Sequence, residues 1–328
     1  MNALAFLFPG QGSQRPGMGR DLVKRHPELI ERYYRPADEL LGLELSKLCF
    51  EGSAEELVPT EITQPAIFLT SIAVLDVLRG RGITPSAVAG HSLGEYAALV
   101  AAGVLDWTDA LRLVRRRGEL MAGVNERTPG AMAAVLGLAA GPVEELCARV
   151  RERSGRVVEV ANYNDPAQHV VSGAREAVHE VVGAAKAMGA ERTVLLGVGA
   201  PFHCSLMREL EGEFAGELDR VAFRDPRLTV VSGGTGGRIG SGDEAREQLR
   251  RQLAGAVRWA DTLRAMAASG ARTFVEAGPG RVLSGFVRTS LPDAVCYPAG
   301  EMRRIDRIPR AQEGEPEEEL LQGGSIPA

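Results

Sequence analysis

The stretch AVAGHSLGEYAAL, residues 87–99, constrains the fold of this chain more than any other segment. A short apolar run leads into Gly-His-Ser-Leu-Gly, and a run of helix-forming residues follows. Glycines on both sides of Ser92 permit the tight strand-to-helix turn that lifts a serine hydroxyl above a helix N-terminus. The pattern therefore predicts a strand-turn-helix unit with Ser92 as a nucleophile. The alternative is that Ser92 only caps the helix, since Glu95 completes an S-x-x-E capping box.

Strand-like apolar runs alternate with helical patterns along the chain, which is typical of a mostly parallel sheet covered by helices. We therefore predict an α/β fold with an α/β-hydrolase-like large domain formed by residues 1–129 and 198–300. Residues 130–197 follow the order β-α-β-β-α-β, which predicts an inserted ferredoxin-like subdomain that forms one wall of a cleft. Residues 301–328 carry charge blocks and little to bury, so we expect a disordered tail or linker. The candidate core strands are ALAFLF, AVAG, TVLLGV, LTVVS and TFVEAG.

Composition argues against several classes of protein. The formal net charge of −5 provides no basic surface for nucleic acid, and the apolar run near the N-terminus is too short to span a membrane. The four cysteines lie far apart, without the spacing of a zinc site or a disulfide framework. We expect a cytoplasmic protein with reduced thiols that uses no metal, binds no nucleic acid and contacts no membrane.

A serine nucleophile needs a base, and five histidines are available. Three lie in expected surface helices or on a subdomain strand: His26, His179 and His169. His91 adjoins Ser92 and is expected to support the turn. His203 follows a predicted strand at a glycine-rich loop, where α/β sheets place functional groups, so we favour it as the base. A hydrogen-bonded structural histidine is the alternative, and no acidic residue stands out as the third member of a triad.

Arg117 is expected to be buried. At about 100° per residue along its predicted helix, Arg112, Arg115 and Arg116 share a solvated face. Arg117 falls instead among apolar residues, where an unpaired cation is costly. Its partner is either an internal Asp or Glu, or a substrate carboxylate held by paired hydrogen bonds. The second possibility would select an acyl group that carries a free acid.

Seven motifs extend these observations: FLFPGQGSQ, TQPAIF, GHSLGEYAAL, RRRGELM, NYNDP, PFHCSLM and EAGPGRVLSG. In this order and at these separations they resemble the malonyl-CoA:acyl-carrier-protein transacylases, a family that includes the acyltransferase domains of polyketide synthases. The resemblance covers about residues 3–290. It implies ping-pong transfer of malonyl from malonyl-CoA, through a serine ester, to the phosphopantetheine thiol of an acyl carrier protein. It implies no cofactor, since CoA is a substrate, and we expect a monomer.

The resemblance also implies a role for each residue. Ser92 is the acylated nucleophile, His203 is its base, and Arg117 binds the malonyl carboxylate. Gln11 and the Leu93 N–H form the oxyanion hole.

Gln252 lies where the family uses a main-chain carbonyl, in place of an acid, to orient the histidine. This loop departs from the family pattern, because Gly255 and Ala256 stand where a proline-containing pair is common. Gln64 and Phe202 are assigned to the substrate site. In polyketide acyltransferases Phe at the latter position accompanies malonyl, because its ring fills the space of an α-branch.

Two other functions stay open. A hydrolase of the same fold would clear acyl groups from carrier proteins, but it gains little from a buried cation. A non-catalytic docking module would not need Ser92, His203 and Arg117 together. Phe202 and the run from Ser232 to Thr235 favour polyketide over fatty-acid synthesis without deciding between them. Three surface arginines are candidates to meet an acidic helix of the carrier protein: Arg112, Arg115 and Arg116.

Overall fold

A computed structural model describes residues 3–198 and 200–309 of the chain. Two β-sheets organise these residues, and helices pack on both. The strands are β1 (Ala3–Phe8), β2 (Ala87–Gly90), β3 (Gly130–Leu136), β4 (Val158–Asp165), β5 (Gln168–Ala174), β6 (Arg192–Leu195), β7 (Thr229–Val231), β8 (Arg238–Ile239), β9 (Ala271–Glu276) and β10 (Val295–Pro298). The α-helices are α1 (Arg20–Arg25), α2 (Arg35–Leu41), α3 (Leu45–Glu51), α4 (Thr60–Gly80), α5 (Gly94–Ala101), α6 (Trp107–Arg127), α7 (Ala140–Ser154), α8 (Arg175–Ala187), α9 (Glu209–Leu218), α10 (Gly242–Gln252), α11 (Trp259–Ala268), α12 (Val282–Ser290) and α13 (Met302–Ile305).

The larger sheet has the strand order β10-β9-β1-β2-β7-β8. Its first five strands pair in parallel, and β8 is antiparallel to β7. Four predicted apolar runs supply β1, β2, β7 and β9, whereas TVLLGV contributes β6 of the other sheet. The edge strands β8 and β10 escaped prediction because they have only two and four residues and are partly exposed. The predicted α/β class is confirmed.

The smaller sheet has the order β4-β5-β3-β6, and all its neighbouring strands are antiparallel. Helices α7 and α8 pack on it through a separate apolar cluster that includes Val143, Val150, Val178 and Val181. Its strands and the two helices alternate as β-α-β-β-α-β. This is the ferredoxin-like arrangement expected for the inserted segment.

Helix α4 crosses the middle of the large domain. By length and composition it could span a membrane, yet 83% of its most apolar window is buried inside the fold. It packs against α5 and α6, the helices that carry the residues around Ser92 and Arg117. Helix α4 is therefore part of the protein core, and it places Gln64 within hydrogen-bonding distance of Arg117.

Residues 301–309 correct the predicted start of the tail. Met302, Ile305 and Ile308 are buried in the large core cluster. These three apolar residues recur every third position and form one face of a short helical segment, a pattern hidden among the neighbouring charges. The rest of the expected tail, 310–328, lies outside the described residues.

Candidate active site

The turn between β2 and α5 holds Ser92 in a strained conformation. Its φ is 51°, and His203, at 58°, is the other non-glycine residue with positive φ among those described. Gly90 and Gly94 make the turn possible, because a Cβ on either would overlap neighbouring backbone. The predicted strand-turn-helix unit is present, and backbone strain concentrates on the candidate nucleophile and base.

The Ser92 side chain does not cap α5. The helix start has no side-chain cap hydrogen bond, and the Glu95 carboxylate turns toward Gln252 instead. The Ser92 Oγ lies 2.7 Å from His203 Nε2 and accepts a hydrogen bond from Arg117 Nη2 at 3.1 Å. The capping-box alternative is therefore wrong, and the hydroxyl contacts two groups that can support chemistry.

Two main-chain carbonyls orient His203. Its Nδ1 lies 3.0 Å from the Gln252 carbonyl oxygen and 3.1 Å from that of Gly255. Because both oxygens are acceptors, Nδ1 carries the proton and Nε2 presents its lone pair to Ser92. The Gln252 carbonyl lies where the resemblance placed it. The Gly255 carbonyl was missed, because a main-chain contact leaves no side-chain pattern in the sequence.

The imidazole of His203 is neutral at physiological pH. Burial, followed by the charge of Arg117, lowers the pKa of His203 to about 3. A neutral ring with an unprotonated Nε2 is the form that can accept the Ser92 proton.

The small subdomain restrains the loop that orients His203. The Val257 N–H donates to the Ala161 carbonyl at 2.8 Å, and the Tyr163 N–H donates to the Val257 carbonyl at 2.8 Å. The loop after Gln252 thus forms a parallel bridge with β4. This pairing restrains a segment in which Gly255 stands where the family commonly has proline.

Arg117 is 1% exposed and is held by neutral groups. Its Nη1 donates to Gln64 Oε1 at 2.7 Å, and its Nη2 donates to Gln252 Oε1 at 3.2 Å. Its Nε has no hydrogen-bond partner, and no carboxylate of residues 3–198 or 200–309 forms a salt bridge with it. The direct internal ion pair considered from the sequence is thus absent from the described part of the chain. The charge of the buried Glu95 reaches the guanidinium only across an intervening amide, so the Arg117 side chain beside Ser92 is not in contact with a carboxylate.

The two residues assigned to the oxyanion hole are Leu93, which follows Ser92 in the sequence, and Gln11, which lines the same cavity as Ser92. Within the described structure no group accepts a hydrogen bond from the Leu93 N–H, which lies at the start of α5. The Gln11 side chain donates to Thr60 Oγ1 at 3.3 Å and lines the same cavity as Ser92. An N–H at a helix start and an amide NH₂ are both donors suited to a developing oxyanion.

A cavity of about 470 Å³ opens at Ser92. The large domain contributes Gln11, Arg117, Phe202 and His203 to its lining. The subdomain contributes the facing wall: Met132, Ala134, Asn162, Asn164, Gln168, Val170 and Leu196. Gln64 lies behind this surface, where it holds Arg117.

Sequence reasoning missed Glu95. This acid is 1% exposed, and burial raises its pKa to about 7. An acid within the apolar run of α5 meets the same criterion that singled out Arg117, so its burial could have been predicted. The capping-box spacing concealed it.

The three surface arginines of α6 are already engaged with acids. Arg112 pairs with Asp109 at 3.1 Å, and Arg115 pairs with Glu119 at 2.7 Å. Arg116 pairs with Glu213. These pairs leave less charge for a partner protein than the sequence implied.

Residues 5–319 match a family model described as acyl transferase domain. The malonyl CoA-acyl carrier protein transacylase of Bacillus subtilis (strain 168) is 44% identical over 291 residues, which are 88% of this chain and 90% of that protein. The Escherichia coli (strain K12) protein of the same name is 41% identical over 289 residues, 88% of this chain and 93% of that one. A solved type II polyketide synthase acyl-carrier protein in complex with its malonyl-transacylase matches with a TM-score of 0.89 and 37% identity, covering 93% of this chain and 98% of that one.

Proposed function

Because the chain belongs to the acyl transferase domain family, and within it to the malonyl CoA-acyl carrier protein transacylases, we propose that its cleft carries malonyl from CoA to an acyl carrier protein through an ester on Ser92. One observation carries the proposal. The Ser92 hydroxyl contacts both a neutral imidazole and a guanidinium that forms no salt bridge with any carboxylate among the described residues. The imidazole activates the hydroxyl, and the guanidinium offers a site for the free acid of the acyl group. The scheme needs no cofactor.

The first half-reaction moves malonyl to the serine. His203 Nε2 takes the hydroxyl proton while Ser92 Oγ attacks the thioester carbonyl. The carbonyl oxygen becomes an oxyanion, which the Leu93 N–H and the Gln11 amide stabilise. The C–S bond then breaks, the imidazolium protonates the leaving CoA sulfur, and the malonyl-serine ester remains.

The second half-reaction repeats these steps with a new thiol. His203 takes the proton from the phosphopantetheine thiol of the carrier protein, and the sulfur attacks the ester carbonyl. The bond between this carbon and Ser92 Oγ breaks, and the serine oxygen regains its proton from the imidazolium. The enzyme returns to its starting state.

Arg117 affects both the choice of substrate and the basicity of His203. Its charge contributes to the low pKa of His203, so it opposes the imidazolium that forms in both half-reactions. A malonyl carboxylate bound to the guanidinium cancels much of this opposing field. A donor without a carboxylate leaves the field in place. We therefore expect malonyl to react faster than acetyl as well as to bind more tightly.

The two parts of the chain have separate tasks under this proposal. Residues 1–129 and 198–300 supply the reacting groups, and residues 130–197 supply the opposite wall of the cleft. Phe202 limits the space beside the acyl chain and favours malonyl over branched donors. The monomeric state, the cytoplasmic location and the choice of polyketide synthesis stay predictions.

Intact-protein mass spectrometry after mixing with malonyl-CoA tests the proposal. We expect a stable malonyl adduct on Ser92 that disappears when a carrier protein with its phosphopantetheine arm is added. Ser92→Ala should give no adduct, whereas Ser71→Ala should keep it, since the Ser71 hydroxyl donates to the Ile67 carbonyl of its own helix α4, away from the reacting groups. Free malonate in place of the adduct would indicate the hydrolase, and no reaction would indicate a docking module. Either result would contradict the proposal.

A further inference from the structure

Glu95 is a buried acid that the proposed reaction does not use. It lies in the first turn of α5, three residues after the nucleophile, and is 1% exposed. Its Oε2 accepts a hydrogen bond from Gln252 Nε2, and its Oε1 has no partner within the described part of the chain. Burying an acid is costly unless its contacts compensate, so this placement calls for a function.

The Gln252 side chain connects Glu95 to the reacting groups. Its Oε1 accepts from Arg117 Nη2 at 3.2 Å. Its Nε2 donates to the Ser92 main-chain oxygen at 3.0 Å, in addition to Glu95. Its main-chain oxygen holds His203 Nδ1 at 3.0 Å. One residue therefore contacts the nucleophile, the base and the cation, and Glu95 is the carboxyl group that this amide meets.

The groups around the Gln252 amide, Glu95 among them, determine which way it faces. A half turn of a carboxamide exchanges its oxygen and its NH₂. The turned amide would set its NH₂ against the Arg117 guanidinium, where both groups only donate. It would also set its oxygen against the Ser92 carbonyl and against the ionised form of the Glu95 carboxyl, where acceptors would face each other. Both contacts would be repulsive, so the observed orientation is favoured.

We propose that Glu95 is a positioning residue for malonyl transfer, which acts through the Gln252 amide to hold the Arg117 guanidinium in its substrate-binding orientation. This inference rests on the proposed function. Two neutral amide oxygens, from Gln64 and Gln252, fix the guanidinium without cancelling its charge. An acid in direct contact with Arg117 would occupy the site meant for the substrate carboxylate, whereas Glu95 acts from one amide away.

The ratio of malonyl to acetyl transfer separates positioning from mere structural support. We measure kcat/KM with malonyl-CoA and acetyl-CoA in wild type, Glu95→Gln and Glu95→Leu. Glu95→Gln keeps an acceptor oxygen and should retain the ratio within about threefold. Glu95→Leu removes the acceptor and should lower the ratio about tenfold, mainly through a higher KM for malonyl-CoA. Leu99→Val, a buried change on the same helix, should lower the melting temperature without changing the ratio.

If Glu95→Leu folds poorly, a second set of variants tests the same inference. Glu95→Gln and Glu95→Ala are then measured with and without Gln252→Leu. The inference expects that Glu95→Ala lowers the ratio in the parent and adds nothing once the amide is absent. Three results would each overturn the inference. The first is an equal loss of kcat/KM with malonyl-CoA and acetyl-CoA. The others are a ratio that falls as far in Glu95→Gln as in Glu95→Ala, and losses of the ratio that add in the double variant.

The two levels of proposal fail in different ways. A wild-type protein that forms no malonyl adduct would defeat the proposed function itself. A wild-type protein that forms the adduct and loses its donor preference in Arg117→Ala, but keeps it in Glu95→Leu, would defeat only the role of Glu95.

Discussion

The large domain and the small subdomain face the same cavity with different chemistry. The large domain brings a hydroxyl, an imidazole and a guanidinium, each of them buried: Ser92, His203 and Arg117. The subdomain brings apolar side chains and neutral amides, without an ionisable group among its described lining residues. The difference teaches that the groups proposed to react lie on one side of the cleft, while the other side sets its shape.

Contacts between the two regions include two that hold segments next to the proposed base and nucleophile. Strand β4 pairs with Val257 in the loop that orients His203. Asn164 of the same strand bonds His91, the residue before the nucleophile, at 2.9 Å. The subdomain thus restrains the reacting groups without supplying any of them, and each substitution below tests this division.

Removing the Arg117 guanidinium from the large domain should have the largest effect on activity. Arg117→Ala should lower kcat/KM for malonyl-CoA by about 100-fold or more, because truncating one member of a buried, hydrogen-bonded charge pair costs roughly 2–5 kcal/mol. Acetyl transfer should fall far less, so the ratio of the two rates collapses. Arg112→Ala, whose partner Asp109 lies on the solvated face, is the matched control and should leave the ratio unchanged. A variant that still prefers malonyl would disprove the carboxylate clamp.

The loss of activity at low pH tests the electrostatic effect of Arg117 on His203. Burial and then Arg117 lower the pKa of His203 to about 3, and catalysis needs the neutral ring. Protonation of His203 should therefore reduce activity only as the pH falls through that low value. In single-turnover acylation by acetyl-CoA, the rate should show no decrease caused by His203 above about pH 5. Arg117→Ala removes one cause of the shift and should move this decrease to higher pH. A wild-type decrease caused by His203 near the ordinary histidine value would contradict this account.

Reshaping the subdomain wall should have a smaller effect, confined to donor shape. Met132 lines the cavity and is 4% exposed, so Met132→Ala opens space opposite the reacting groups. The rate with methylmalonyl-CoA relative to malonyl-CoA should rise by about tenfold, which lies in the lower half of the roughly 1–3 kcal/mol that a methyl group in a pocket is worth. Met266→Ala is the control, because it removes a buried methionine side chain that does not line the cavity. If both variants change donor choice alike, the wall does not select.

Removing the hydrogen bond between Asn164 of the subdomain and His91 of the large domain should have the smallest effect on rate. Burial lowers the pKa of His91, so its ring is neutral and its Nε2–H donates to Asn164 Oδ1. Asn164→Ala removes the acceptor of this part-buried N–H and should reduce the free energy of unfolding by about 0.5–1.5 kcal/mol, with kcat changed less than tenfold. Urea unfolding and steady-state rates check both values. Gln168→Ala, on the same wall, should leave stability nearly unchanged. The link is unimportant if the two variants behave alike.

Much of the site could be predicted from local patterns. The glycines around Ser92, the loop position of His203 and the apolar surroundings of Arg117 each follow from a few neighbouring residues. The Gly255 carbonyl could not be predicted, because any residue type offers the same main-chain oxygen. The fold class followed from the alternation of elements, whereas the packed segment 301–309 was missed because its apolar residues are few among charges.

By itself, the sequence determined the α/β class, the nucleophile turn and the need of Arg117 for an anion, because periodicity, glycine spacing and the cost of burying charge act over short stretches of chain. Only the tertiary structure decided which groups meet. The Ser92 and His203 side chains are 111 residues apart in sequence, and Arg117 and Gln252 are 135 apart. Contacts at such separations depend on how whole elements pack, and packing left the guanidinium bound to amides rather than to an acid.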